Sequence, residues 1–429
     1  MPTCKYTTQY DMNENDKLLT KLRLVVMNFL EYAVWGAWLI SLGAYLGSDT
    51  LQFTPIQIGS FFATMGIASL FTPALFGIIA DKWIHEVRLT SLCHLLAGLS
   101  MILAAQQTTY EALYGCILLS VCFYMPTLGL TNSVAYTILG QSGLDTVRHF
   151  PPIRVFGTIG FIIAMIFVDM MGYKGGPEQL YVSAGLSFAL ALYMFTFPAT
   201  AKPGVASAGK KSLKERLGLE AFGLFKDRQM AIFFLFCMGL GICLQITNGF
   251  ANDYLTNHFG NDPQYAHTFG VQYSGTLISL SQISEAVCIL LIPFFLKRYG
   301  IKVVMLISFV AWVLRFGFLG LGNPGDGVWL LLLSMLVYGV AFDFFNISGS
   351  LYVDKQVEPR LRSSAQGLFL MMTNGFGSFI GSYAAGYIVR YFGYPNAWFV
   401  FAGYALVITL LFYLLFDNAS SRRTAQQTL

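Results

Sequence analysis

Charge is scarce in this chain. Asp, Glu, Lys and Arg make up only 11% of its 429 residues, where a soluble globular protein carries roughly 25%. Hydrophobic residues make up 55% and the mean hydropathy is +0.60, so a water-facing surface cannot be covered and most of the chain must be solvated by lipid. Paired cysteines are missing as well. The seven Cys stand singly, six of them inside apolar runs (Cys93, Cys116, Cys122, Cys237, Cys243, Cys288), with no CxxC spacing. This excludes a disulfide framework or a zinc site and leaves the thiols as small packing groups. HExxH, GxSxG and P-loop patterns are also absent, which argues against a membrane hydrolase and against an ATP-driven pump. The first apolar run follows a polar segment, contains Glu31 and closes on no small-residue cleavage site, so it reads as an uncleaved span rather than a leader.

What is present is a series of long apolar runs. A helix needs about 20 apolar residues to cross a bilayer, and runs of that kind fall at 22–46, 56–80, 89–107, 111–136, 150–171 and 179–198. A polar, Lys-rich stretch at 199–228 follows, then 229–256, 273–296, 302–322, 328–352, 363–389 and 396–416. The reading is an all-α membrane protein of twelve spans. Its expected units are a polar cytoplasmic N-terminus 1–21, a six-helix bundle 22–198, a central cytoplasmic loop 199–228, a second six-helix bundle 229–416 and a cytoplasmic tail 417–429. The loop is too short and too polar to fold as the output domain of a sensor.

The distribution of basic residues supports the count. With both termini cytoplasmic, the inner segments collect Lys5, Lys17, Lys21, Arg23, Lys82, Arg88, Arg148, the central-loop basics, Lys297, Arg298, Lys302, Lys355, Arg360, Arg362, Arg422 and Arg423, while the outer loops hold only Lys174 and Arg390. That asymmetry follows the positive-inside rule; the net charge of +4 reflects topology and implies no nucleic-acid partner. The halves also echo each other, PPIR at 151–154 opening span five and PRLR at 359–362 opening span eleven. The turns ADKW at 80–83 and LKRYG at 296–300 follow spans two and eight. The ADKW turn is a candidate latch for the inward-closed state, or a plain solvated anchor.

Ionisable groups inside a bilayer are expensive, about 2.5–3.5 kcal/mol at mid-depth, and so face a cavity or a partner. Residues spaced i, i+3, i+4 and i+7 share a helix face. On that basis Arg154, Thr158 and Phe161 form one stripe of span five. Gln245 pairs with Asn248 on span seven and Gln282 with Glu285 on span eight, while Tyr338, Phe342 and Asp343 cluster on span ten. Span one offers Asn28, Glu31, Trp35 and Trp38, and span four Tyr124, Thr127 and Thr131. Glu285 and Asp343 lie halfway along their spans among other polar groups, where a carboxyl can load a proton from one side and release it to the other. The amides supply paired donors and acceptors and the aromatics a stacking wall, a set suited to a nucleoside and equally to a sugar or a purine base. Arg315 reads as structural because no other strong polar group shares its stripe. His94 reads as a satisfied core residue, and Asp169 and Asp253 as interfacial.

The strings YMPTLGLTN (124–132), FPPIRVFGTIGF (150–161), LQITN (244–248), SQISE (281–285), YGVAFDFFNISGS (338–350) and SAQGLFLMMTNGFG (364–377) resemble the nucleoside–proton symporter family of the major facilitator superfamily. The resemblance runs from span one to span twelve and fails only at the polar tails. It implies the major facilitator fold, two pseudo-symmetric six-helix bundles rocking about a mid-membrane site. It implies proton-coupled nucleoside import across a bacterial inner membrane by a chain that acts as a monomer, with the co-transported proton in place of any cofactor. The positions matching Arg154, Thr158 and Phe161 then line the cavity from one half. Those matching Gln245, Asn248, Gln282, Glu285, Tyr338, Phe342 and Asp343 line it from the other, with Glu285 and Asp343 carrying the proton coupling.

Overall fold

A computed structural model of the chain describes residues 14–197, 219–358 and 361–416. Residues 1–13, the central loop up to residue 218, the first half of the PRLR echo and the tail from 417 lie outside the described residues, as do the side chains of Asp81 and Lys82 on which the ADKW latch depends.

Twelve helical passes run through the described residues. α1 (Glu14–Gly36) continues through a turn into a short helix, Leu42–Leu46. α2 (Pro55–Lys82), α3 (Glu86–Ala105), α4 (Tyr110–Gln141), α5 (Thr146–Met170) and α6 (Glu178–Met194) complete the first half. α7 (Arg228–Asp253) ends in a π turn, Tyr254–His258. The next two passes form one helical run, Ser274–Leu321, turned at Gly300; they are called α8 (274–299) and α9 (301–321). α10 (Val328–Gln356), α11 (Arg362–Phe392, in three stretches) and α12 (Tyr394–Leu415) follow. At Gly300 φ is +75°, a conformation that only glycine adopts without strain, so the sharp reversal between α8 and α9 falls there.

Eight of the described helices, one of them the α8–α9 double pass, are long and apolar enough to cross a membrane by length and composition. The three passes that fall short each have a visible reason. The first turn of α1 is acidic, with Glu14 and Asp16, and its apolar part is interrupted before Leu42. α6 has only 17 residues. α11 is broken by the π stretch Met371–Gly377, a register defect that apolar counting cannot see.

Packing groups the passes. In the first half α1 lies against α5 and α6, and α4 against α2 and α3; in the second, α8 and α9 lie against α10 and α12, and α7 against α11. Lipid gives little hydrophobic drive for helices to associate, so close packing must supply it. Phe233 on α7 does so by facing the rings of Phe345, Phe369, Tyr352 and Phe416.

The two halves meet mainly at the end remote from the termini, here called distal. A Cβ on Gly43 would lie 2.5 Å from the Gly249 carbonyl, and one on Gly59 2.3 Å from that of Ser382. Only glycine lets these backbones approach across the seam. Polar links reinforce it. Asp169 at the end of α5 accepts from the backbone N–H and hydroxyl of Thr276 on α8, both at 2.8 Å. Lys174, paired with Asp169 at 3.4 Å, donates to the carbonyls of Val271 and Gln272 at 2.7 and 2.5 Å. Asn257 donates to the Ala44 carbonyl at 2.9 Å and to Asp253 at 2.6 Å, and the Tyr394 hydroxyl donates to Asp253. Asp169 and Asp253, expected at the lipid interface, are instead buried in protein, 3% and 4% exposed. Position near a helix end did not reveal that each has hydrogen-bond donors on other segments.

Candidate functional site

The ten residues expected to line a cavity are carried by α5, α7, α8 and α10, and the structure brings several into direct relation. On α5, Arg154 stands one turn before Thr158 and two before Phe161. The Arg154 guanidinium lies 3.8 Å from the ring centroid of Tyr32 on α1. Phe161 is buried and meets the Trp35 indole edge-on at 6.2 Å, and Trp35 in turn lies 5.9 Å from Tyr124. Arg154 and Thr158 remain half-buried, open enough to meet a solute.

From the other half, Glu285 on α8 lies within electrostatic reach of Arg154 and of Asp343 on α10. Tyr338 stacks on Phe342 one turn along α10, with centroids 6.1 Å apart and planes 15° from parallel. Gln245 on α7 is 3% exposed and its amide donates to the Phe62 carbonyl of α2 at 3.4 Å, so this member bridges the halves. Asn248, Gln282, Glu285 and Phe342 are half-buried. Asp343 is 3% exposed and its Oδ2 has no hydrogen-bond partner. A carboxylate oxygen buried without a donor has no hydrogen bond to stabilise charge on it.

The carboxyl of Glu31 contrasts with this. It is fully buried; Oε2 meets His94 Nε2 at 2.9 Å and Oε1 accepts from Thr127 at 2.6 Å, while its backbone carbonyl accepts from Tyr124 at 2.9 Å. His94 reaches on to Ser187 at 3.1 Å. His94 is thus the satisfied core residue expected, and Glu31, Tyr124 and Thr127 belong to a closed network behind the cavity wall. Asn28 turns back to the Leu24 carbonyl at 3.0 Å, Thr131 to that of Thr127 at 2.8 Å, and Trp38 is buried.

Tyr32 is the neighbour that helical spacing missed. It shares no polar stripe with Arg154, and one tyrosine among 23 carries no signal of its own. The nearest hint lay in Gly157, where a Cβ would come 2.6 Å from the Tyr32 ring. Among the described residues no group of three or more His, Cys, Asp and Glu converges as a metal site.

The arrangement offers hydrogen-bonding amides, two aromatic walls, a cation and two carboxyls of unequal exposure. Residues 18–421 match the family model described as nucleoside H+ symporter. The chain is 47% identical over 403 residues to the nucleoside permease NupG of Escherichia coli (strain K12), covering 92% of this chain and 96% of that one. It is 48% identical over 402 residues to the xanthosine permease of the same organism, covering 92% and 95%. A crystal structure of the nucleoside transporter NupG superposes with a TM-score of 0.86, at 47% identity and with 93% and 99% covered. The chain belongs to the nucleoside–proton symporter family of the major facilitator superfamily, and so to the transport proteins rather than the enzymes.

Proposed function

We propose that this secondary active transporter imports nucleosides with protons through the site formed by Arg154, Thr158, Phe161, Gln245, Asn248, Gln282, Glu285, Tyr338, Phe342 and Asp343. The observation that carries the reading is a pair of ring walls, Phe161 and Trp35 in the first half and Tyr338 and Phe342 in the second, with Arg154 on α5 and Glu285 on α8 both half-buried. A base fits between such walls and is held largely by stacking, while the ribose hydroxyls suit amides that donate and accept.

Coupling follows from where charge can be tolerated. The Asp343 carboxyl has no donor at Oδ2, so charge on that oxygen has no fixed partner. Glu285 is opposed by the Arg154 cation, and movement of α5 against α8 changes that opposition. A proton therefore binds and leaves in step with the motion of the halves, which is what symport requires.

The moving units are residues 22–198 and 229–416, tethered by the loop 199–228, with the tails 1–21 and 417–429 on the same side. Both termini face the cytoplasm of a bacterial inner membrane and the chain works as a monomer. The distal seam is then the outer gate, closed in this conformation by the Gly43 and Gly59 contacts and by the Asp169, Lys174 and Thr276 links.

The test is uptake of labelled uridine and adenosine into proteoliposomes with and without an inward proton gradient. Accumulation that depends on the gradient and collapses with a protonophore is the expected result. Equilibration without accumulation would remove the coupling, and no uptake by folded protein would remove the substrate class.

A further inference from the structure

Arg315 is a charge for which the transport mechanism has no use, and it is 1% exposed in the middle of the second half. Such a group is not kept inside a membrane protein without a task or a partner. Its links are few. Nη1 donates to the Ser334 carbonyl of α10 at 2.6 Å and meets the Ser281 hydroxyl of α8 at 3.4 Å, and Nε has no partner. Among the described residues no carboxylate forms an ion pair with it. The remaining contact is with a ring: the guanidinium carbon lies 4.5 Å from the centroid of Tyr338, a stacking that is strengthened by exclusion of water.

Tyr338 is held from several directions. Trp312 meets it edge-on at 6.1 Å and Phe342 stacks on it. The first half repeats the arrangement with Arg154 over Tyr32, but there the cation is half-buried. In the second half the cation is 1% exposed, sealed behind the ring by α8 and α10.

We propose that Arg315 is a positioning residue for solute binding: acting through Tyr338, it fixes the ring against which the base is held and does not itself touch the solute. This rests on the reading of Tyr338 as part of the solute wall. A purely structural Arg315, bridging α8, α9 and α10 through Ser281 and Ser334, would be indifferent to what occupies position 338, and that difference separates the two.

The experiment is a double-mutant cycle on the purified full-length protein, with the dissociation constant of uridine as readout and thermal melting followed in parallel. Arg315→Met, which keeps volume and removes the cation, is expected to weaken binding about tenfold. Arg315→Lys, which keeps a cation over the ring, is expected to stay within about threefold of the parent. In a Tyr338→Leu background, Arg315→Met is expected to add less than about twofold, because residues that act as one unit are not additive. Equal weakening in both backgrounds overturns the inference, as does unchanged binding in Arg315→Met. Should Arg315→Met fail to fold, the lysine variant is carried through the same cycle, and a loss that is the same with Tyr or Leu at 338 overturns the inference equally. Unchanged binding in Tyr338→Leu alone removes the solute wall itself, a failure of the site and not of Arg315 in particular.

Discussion

Glu31 in the first half and Asp343 in the second are both carboxyls sealed from solvent, 0% and 3% exposed, yet their surroundings are opposite. Both oxygens of Glu31 are engaged, by His94 and Thr127, and the network closes through Tyr124 and Ser187. Asp343 leaves Oδ2 unpartnered, and Glu285 on the neighbouring α8 is only half-buried. In a low-dielectric interior a carboxyl with fixed partners is part of the scaffold, because moving its proton means breaking every bond around it. A carboxyl without partners is the one whose proton can come and go at modest cost. Burial and charge are alike in the two halves, and it is hydrogen-bond satisfaction that separates structure from coupling.

The largest expected effect is on coupling. Glu285→Gln and Asp343→Asn should each bring the accumulation ratio of uridine down to about one, since without differential proton binding no gradient can be supported. Exchange of labelled for unlabelled uridine across the same liposomes should continue. Exchange lost together with accumulation would show that these carboxyls serve binding alone. Next in size is Glu31→Ala. Leaving His94 and Thr127 without their partner should cost about 3–5 kcal/mol of stability, seen as a lower melting temperature in detergent, with gradient-driven accumulation intact in the folded fraction. A folded Glu31→Ala protein that only equilibrates would erase the distinction between the halves.

A smaller effect is expected at the seam. Asp169→Asn removes a charged acceptor from Thr276 and the pairing with Lys174, worth about 1.5–3 kcal/mol at most. It should raise the outward-open population, read as faster modification of a cysteine placed on the distal half of α8. An unchanged rate would mean that the Gly43 and Gly59 backbone contacts alone keep the seam shut. Smallest is Lys174→Gln, which keeps a donor for the Val271 and Gln272 carbonyls. It should shift the same rate by less than Asp169→Asn, because Asp169 keeps its bonds to Thr276.

The contrast was only partly legible in the sequence. Apolar runs marked every pass, and helical spacing chose Arg154, Glu285 and Asp343 because a charge in such a run is conspicuous wherever it points. Spacing along one helix says nothing about partners on another. The closed network around Glu31 was therefore out of sight until His94 of α3 and Thr127 of α4 were seen against it. The same limit hid Tyr32 behind Arg154 and Tyr338 in front of Arg315. It also placed Asp169 and Asp253 at the lipid interface, where a helix-end position suggested exposure and tertiary donors gave burial. The π stretch of α11 and the turn at Gly300 are backbone events on which hydropathy is silent.

Proton entry triggered by nucleoside is the most direct measurement of the central claim. Liposomes containing a trapped pH dye are exposed to external uridine, with the parent protein, Glu31→Gln, Glu285→Gln and Asp343→Asn compared side by side. The account predicts uridine-dependent acidification for the parent and for Glu31→Gln, and none for Glu285→Gln or Asp343→Asn. Acidification that persists without Glu285 and Asp343, or that vanishes with Glu31→Gln in folded protein, would contradict it.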